Sequence, residues 1–528
     1  MTPLDLIASA VTSFPDKIAF HIPKDDRSIS DEVLEEWTPI TYSRFAADVQ
    51  NYARYWADSL LRNGIEGAVS LCYAVCRIEG FSYHEVVSIY ALMTAGYIPQ
   101  CIPTRLPNID IVYELASSSG AKALLYHSSI TPPAHSPMYT REVRQLCPSD
   151  FGSVPEYDRP IINPDDVIVI YHTSGSTGKL PKLVRFTGRR LAVISKIHTR
   201  IFKTPQTRNW LGSIAHAGQF FASNASILKG DCTVQPVHLP YTPSSFISMV
   251  RKCSISSATV WTPLLSQILQ AARHNREHLL TLQGLDLVMA LGASLPPNDL
   301  KWGSENGLVI VNYFALTETG GLLYTVPEKV DDFAPHLFRP IEGTGVVLLP
   351  VEENANTDGV KLLEIIVPSD SPIRPGDAFA SPIDGHFHTG DFFEEIFPGR
   401  YEYRGRMDDW IKMSNATRCN TKAIKDHIRA SCSDLISECV VVGSGRVCPA
   451  VLVERRPSFV DDDQSVKREI VSRSKEFNSR RYTNEQIPGE ELIFVVRTGD
   501  LPRTATKGNV RRKAAEEQYQ ELLDRAFS

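Results

Sequence analysis

The sequence has no apolar run near the ~18 residues a membrane-spanning helix requires. Its ten cysteines are scattered, with Cys72 and Cys76 the closest pair and no C-x-x-C. Neither a zinc site nor a disulfide framework is indicated, and most cysteines are expected to be small buried hydrophobes. The fourteen histidines include no H-E-x-x-H spacing. No polybasic stretch accompanies the formal net charge of −6, which argues against nucleic acid or an anionic membrane as partner. The first twenty residues lack the basic region of a signal peptide, and the last five carry no peroxisomal or lipidation signal. A cytoplasmic protein with no membrane span is therefore expected. There is no internal repeat and no low-complexity tract.

What is present is ordinary in bulk and specific in detail. The 528 residues, 43% hydrophobic and 22% charged, suffice for several domains or one large one with an appendage. Helical patterns at Thr41–Leu61 and Tyr83–Ala95 alternate with short apolar strands at Ala68–Val75 and Ala121–Tyr126. The alternation continues to about residue 400, as parallel sheets with helical crossovers require. Three strands stand out by how they end. Val167–Ile170 runs into Thr173, Leu285–Leu291 into Gly292-Ala293-Ser294, and Leu308–Phe314 into Ala315-Leu316-Thr317-Glu318. Ligands gather beyond the carboxyl ends of parallel strands, so this convergence outweighs any one loop. Near 400 the chain turns polar, through Tyr401–Asp409, and a smaller α+β region follows. It has strands at Cys439–Val442 and Ala450–Val453 and an exposed helix at about 509–523. The expected fold is α/β: a large N-terminal domain of parallel and mixed sheets with flanking helices, residues 1–406, and a small mobile α+β domain, 407–528.

The stretch Tyr171–Val184, YHTSGSTGKLPKLV, places small and hydroxyl residues after a buried strand, with Lys179 and Lys182 beside them. It is either a plain surface turn or a loop whose N–H groups and hydroxyls face phosphate oxygens. Thr317-Glu318 is either a helix N-terminus with a hydroxyl cap and a first-turn acid, or a phosphate and magnesium site, since magnesium needs only one or two carboxylates. Thr389-Gly390-Asp391 is a loop acid, or, beside a phosphate site, a ribose ligand. Leu501–Gly508 is a basic surface loop, or a carrier of Lys507 to a developing negative charge.

Together these residues resemble the adenylate-forming superfamily of acyl-CoA synthetases, peptide-synthetase adenylation domains and luciferase-like enzymes. Thr173–Lys182 resembles its T-S-G-S/T-T-G-x-P-K phosphate loop; no Walker motif is present. NYFALTE at 312–318 resembles N-x-Y-G-x-T-E, 389–391 matches T-G-D, Gly405–Asp408 matches G-R-x-D, and Ala91–Pro99 resembles an early helix-and-turn signature. Ser414–Asn420, Gly443–Arg446 and Thr506–Arg512 are closest to fungal peptide-synthetase-like adenylate-forming reductases. Carrier and reductase signatures do not follow before Ser528, so a standalone ligase or an excised domain is expected. The sequence departs from the pattern at Lys179-Leu180, where the family has one position, and at Ala315, which replaces glycine. It also departs at Ala416-Thr417, Thr421 and Lys425.

The resemblance implies attack of a carboxylate on the α-phosphorus of ATP, giving an acyl-adenylate and pyrophosphate. Thr173, Ser174, Gly175, Ser176, Thr177, Gly178 and Lys182 would take the phosphates, and Thr317 and Glu318 a phosphate and Mg2+. Asp391 and Arg406 would hold the ribose. Gly292, Ala293, Ser294, Asn312, Tyr313, Phe314 and Ala315 would surround the adenine. Lys507 would neutralise the transition state, with Thr177, Glu318 and Lys412 as further catalytic residues and Asp408 as the hinge. His216, Phe220, Phe221, Ser223 and Gly292 would border the acid pocket, with His216 also beside the nucleotide; His216 is otherwise an ordinary core histidine. Amino-acid-activating members carry an Asp where Phe221 stands, so an aryl, keto or fatty acid is expected. The acceptor would be coenzyme A or a phosphopantetheine carrier protein, such as a domain of a polyketide or peptide synthase. The competing readings are the adenylation part of a carboxylate reductase and a degenerate, non-enzymatic relative.

Overall fold

A computed structural model describes residues 3–24, 36–66, 72–78, 80–104, 106, 108–132, 135–152, 154, 156–157, 161–173, 181–201, 205–237, 242–325, 336–351, 362–414, 418–459, 462–479, 481, 485–504 and 508–527. Contacts divide the chain into two compact units, one of Met1–Val346 with Val367–Phe387, the other of Val347–Ile366 with His388–Ser528. The division by compactness therefore falls on the N-terminal side of the boundary expected between residues 406 and 407.

The first unit carries two sheets. In the six-stranded sheet, Tyr139–Val143, Ala123–His127, Cys72–Ile78, Tyr97–Pro103 and Val167–Thr173 run parallel, and Lys182–Thr187 closes the edge antiparallel. In the second sheet Ser257–Trp261, Leu287–Leu291 and Ile310–Leu316 lie parallel in that order, followed antiparallel by Gly320–Thr325 and Phe338–Pro340. Buried strands such as Val167–Ile170 and Leu287–Leu291 are nearly all apolar, as strands covered on both faces must be. The helices between them are amphipathic and well capped. Tyr42–Leu61 starts on Thr41, whose hydroxyl accepts the Arg44 N–H. Tyr83–Thr94 starts on a Ser82/Glu85 capping box, and it is buried on nearly every side.

One aromatic column forms the centre of this unit. Phe220, fully buried, packs against Tyr171 at 5.6 Å and Tyr90 at 5.9 Å between ring centroids. Tyr90 in turn meets Phe45 edge-on. A buried ion pair, Arg208–Asp231 at 2.5 Å, is satisfied further by the Gln206 N–H on Asp231. Breaking it from one side would cost about 3–5 kcal/mol.

The second unit begins with antiparallel strands, Val347–Pro350 on Leu362–Val367 and Phe387–Phe397 on Arg400–Arg406. Its C-terminal part is built on Ile436–Val442, Ala450–Arg455 and Ile493–Val496, the last two parallel. Helices Thr421–Ser431 and Asp463–Ser479 contribute Ile424, Ile428, Val466 and Ile470 to a core of its own. The tail expected as one helix is two, Arg512–Gln518 and Gln520–Ala526. Both units are mixed α/β. Among the described residues no helix is long and apolar enough to cross a membrane.

Candidate active site

In the first unit, Thr173 and Lys182 are cross-strand partners. Antiparallel pairing thus brings together the two ends of the small-residue segment. Ser174, Gly175, Ser176, Thr177 and Gly178 lie outside the described residues, as do Lys179 and Leu180. Tyr171, two residues before Thr173, donates its hydroxyl to the Ile214 carbonyl at 3.0 Å. That ties this strand end to the turn preceding His216.

Thr317-Glu318-Thr319 is not the start of a helix. It is the turn of a hairpin joining Ile310–Leu316 to Gly320–Thr325, with Leu316 opposite Gly320. Gly320 has φ +76°, and a Cβ there would lie 2.8 Å from Ile194 Cγ2. The positive φ and the close helix both demand glycine. A register shift at Phe314/Ala315 bends the strand just before the turn. Glu318 is half-buried. Its carboxylate makes no hydrogen bond among the described residues, and its charge acts on Arg190.

The segments expected around an adenine are tied together by Asn312. Its Oδ1 accepts the Leu295 N–H at 2.9 Å, and its own N–H donates to Thr325 Oγ1. This holds the Gly292-Ala293-Ser294 turn against the strand that carries Phe314. Phe314 meets Phe338 edge-on. Tyr313 departs from expectation. Neighbours on a strand point to opposite faces, so Tyr313 turns away from Asn312 and Phe314. It enters the core, where its hydroxyl lies 3.1 Å from His198 Nδ1. A Cβ on Gly321 would fall 1.8 Å from that hydroxyl, so the glycine makes its room.

His216 caps the helix Ala217–Lys229, its Nδ1 accepting the Gly218 N–H at 3.1 Å. Its ring stands edge-on to Trp261 at 5.2 Å. Gly292, φ +90°, also abuts Trp261, with a notional Cβ 2.8 Å from the indole. The structure thus brings His216 and Gly292 to one indole. Two of the other expected pocket residues, Phe220 and Ser223, are packed inward. Phe220 belongs to the aromatic core, and Ser223 accepts from Gln219 Nε2, whose amide oxygen accepts from Leu211 and Gly212. On a helix, Phe220 and Ser223 share a face, and here that face is turned inward. Phe221, 4% exposed, meets Phe186 edge-on at 5.2 Å.

Two histidines flank these elements, His198 buried and His172 half-buried. Burial holds His172 down to about 4, where it accepts from Gln100 Nε2 at 3.3 Å. Burial, and to a lesser degree Arg208, hold His198 down to about 3. Both folded values lie below the ordinary imidazole value near 6.5, so unfolding takes up protons as pH falls below it. Their contribution to stability is complete above about pH 6.5 and declines toward pH 4 and below. Urea midpoints measured from pH 7.5 to 4.5 should fall, and the double variant H172Q/H198Q should flatten the slope.

In the second unit, Asp391 and Arg406 are cross-strand partners. Asp391 is 2% exposed; its Oδ1 accepts the Tyr403 hydroxyl at 3.0 Å and its Oδ2 lies 3.6 Å from Arg406 Nη1. Burial, then the Asp391 charge, push the Tyr403 phenol well up, so it stays a donor. Glu364 organises the T-G-D turn: Oε1 accepts the Gly390 N–H at 2.9 Å and Oε2 pairs with His388 Nδ1 at 2.9 Å. Asp409 accepts the Arg406 N–H and faces Arg512 at 3.6 Å. The side chains of Asp408 and Lys412 and the whole of Lys507 lie outside what is described. The flanks of Lys507 are held firmly. Gly508 N–H donates to the Thr504 carbonyl, and Arg503 forks onto the buried Glu454 at 2.6 and 3.1 Å.

Glu364, Tyr403 and Arg190 were not singled out from the sequence. Tyr403 had a signal, since it lies in the stretch read as a polar linker; Glu364 and Arg190 had none.

A family model described as AMP-binding enzyme matches residues 7–367, and one described as AMP-binding enzyme C-terminal domain matches 408–528. The AMP-binding domain-containing enzyme iboA of Amanita muscaria is 31% identical over 90% of this chain and 93% of its own. The adenylate-forming reductase stbB of Stachybotrys bisbyi is 23% identical over 97% of this chain, which spans 49% of that relative. Among solved structures, the O-succinylbenzoate coenzyme A synthetase of Bacillus subtilis in complex with AMP is similar, with a TM-score of 0.74 and 16% identity over 97% of this chain and 98% of its own.

Proposed function

The chain belongs to the AMP-binding enzyme family, and from that footing we propose that it activates an aryl, keto or fatty acid with ATP and passes the acyl group to a pantetheine thiol. The observation that carries this is the pairing of Thr173 with Lys182 in the same unit as the Glu318 hairpin turn, whose carboxylate has no hydrogen bond among the described residues. A free carboxylate on a tight turn suits one magnesium ion whose other ligands are phosphate oxygens and water. Among the described residues no cluster of three or more metal-ligating side chains exists.

In this reading the backbone and hydroxyls from Thr173 to Gly178, with Lys182, bind the triphosphate, and Thr317 adds a hydroxyl. Asn312 holds the Gly292–Ser294 turn beside Phe314 for the adenine. Asp391 accepts the ribose hydroxyls, oriented by Tyr403 and Arg406. Glu318 would hold Mg2+, which when bound neutralises charge on the phosphates. Lys507 neutralises the carboxylate and α-phosphate as they meet, Lys412 assists, and Asp408 is the pivot between residues 1–406 and 407–528. The protein's task is positioning and charge compensation.

Phe221 supports the choice of acid. An ammonium brought beside this apolar ring would lose hydration without a counter-charge, at a cost of about several kcal/mol. Acid-dependent ATP–pyrophosphate exchange across a panel should favour non-amino acids by at least about tenfold, the equivalent of ~1.4 kcal/mol. A clear preference for an α-amino acid would overturn this choice. Coenzyme A and a carrier protein remain the two acceptors to be compared, in the cytoplasm. The 49% span of stbB favours one second reading, the adenylation part of a carboxylate reductase. Gene boundaries beyond the codon for Ser528 would decide it.

A further inference from the structure

Arg190 is a charged residue in an unusual place. It is the third residue of the helix Gly188–Thr199 and only 8% exposed. Its guanidinium lies 4.4 Å over the Phe186 ring; Nε donates to the Ile373 carbonyl at 3.3 Å and Nη1 to the Arg185 carbonyl at 3.1 Å. Nη2 is buried and has no hydrogen-bond partner among the described residues. A buried guanidinium donor without an acceptor is costly, and it persists where an ordered water or a ligand supplies the acceptor.

Its surroundings indicate which ligand. Lys182 and Phe186 are four apart on one strand and share a face. Lys182 Nζ rests 5.9 Å from the Phe379 ring, and Arg190 is bonded to Ile373, so both cations lie along the segment from 373 to 379. On the helix of Arg190, one turn further on, Ile194 touches Gly320 in the hairpin that presents Glu318. Glu318 is the carboxylate whose charge acts on Arg190. The open donor therefore lies in the field of Glu318 and on the strand that carries Lys182.

We propose that Arg190 is a binding residue for the β- and γ-phosphates of ATP and for the pyrophosphate released, its Nη2 donating to a phosphate oxygen. This deepens the reading of the phosphate site given above and rests on it. Guanidinium suits the task because it stays charged when buried and donates along fixed directions. A merely structural arginine, tying Ile373 to Arg185, would alter thermal stability and leave phosphate affinity unchanged.

The test combines calorimetric titration of inorganic pyrophosphate, with and without Mg2+, and acid-dependent ATP–pyrophosphate exchange. R190Q should weaken pyrophosphate binding and raise its exchange KM by about tenfold or more, with the KM for the acid within about twofold. R190K, which keeps the charge and loses the fork, should fall between, weakened by roughly threefold. Unchanged pyrophosphate affinity in a folded R190Q overturns the proposal. If circular dichroism shows R190Q unfolded, R190K decides: wild-type affinity there overturns it equally. A wild type that binds pyrophosphate through Arg190 but catalyses no acid-dependent exchange would instead overturn the proposed function and leave this inference standing.

Discussion

Lys507→Ala should abolish acid-dependent ATP–pyrophosphate exchange, by on the order of 10²–10³-fold or more, while ATP binding measured by calorimetry changes little. A preorganised cation acts where charge develops, so its removal is felt in the transition state and hardly in the ground-state complex. The described flanks make this a clean substitution. Arg503 is clamped on Glu454, and the Thr504–Asn509 closure uses backbone groups and the Thr504 hydroxyl. The melting temperature should therefore stay at the wild-type value. Unchanged exchange would remove this lysine from the mechanism. Glu454→Gln offers a contrast: it weakens the Arg503 fork, and its effect should appear in stability first.

Asp391→Ala carries the second large effect, and it should appear in both activity and stability. The carboxylate is buried, accepts the Tyr403 hydroxyl and faces Arg406. Its removal leaves a buried phenol without its acceptor and a guanidinium without its counter-charge. Stability should fall by about 1–3 kcal/mol, read from urea unfolding. If the same carboxylate accepts the ribose hydroxyls, the KM for ATP should rise on the order of tenfold to a hundredfold, while the KM for the acid holds. Asp391→Asn keeps the shape and one acceptor, so it should recover most stability and little ATP affinity. Equal recovery of both would reduce Asp391 to a structural role. Loss of pairing from Glu364 should act more weakly on ATP, since Glu364 reaches the turn through the Gly390 N–H.

Element type and order were largely legible. Apolar strands ending in small or hydroxyl residues, and helices opened by Thr41 and Ser82, were visible because period and capping are local properties. Of the two readings of Thr317-Glu318, the helix start is set aside by the hairpin, which Gly320-Gly321 directly after it signal as a strand reversal. Tyr313 was grouped with its neighbours although alternation on a strand separates it from them. The family resemblance assigns Phe220 and Ser223 to the wall of the acid pocket. Their inward face became evident only with Tyr90, Tyr171 and Gln219 around them.

The sequence by itself determined the family, through motifs that resemble it. Hydroxyl and glycine spacing after a strand, Thr-Gly-Asp in a turn, and Gly-Arg-x-Asp before a change of composition are relations between near neighbours, and near neighbours are what a linear chain records. Only the tertiary structure decided which side chains hold these segments in place. Asn312 reaches Leu295, Glu364 reaches Gly390, Tyr403 reaches Asp391, and Arg190 lies buried over Phe186 with a donor to spare. Each of these depends on strands or helices brought together through space, and on burial, which turns an ordinary polar residue into one whose every hydrogen bond must be accounted for.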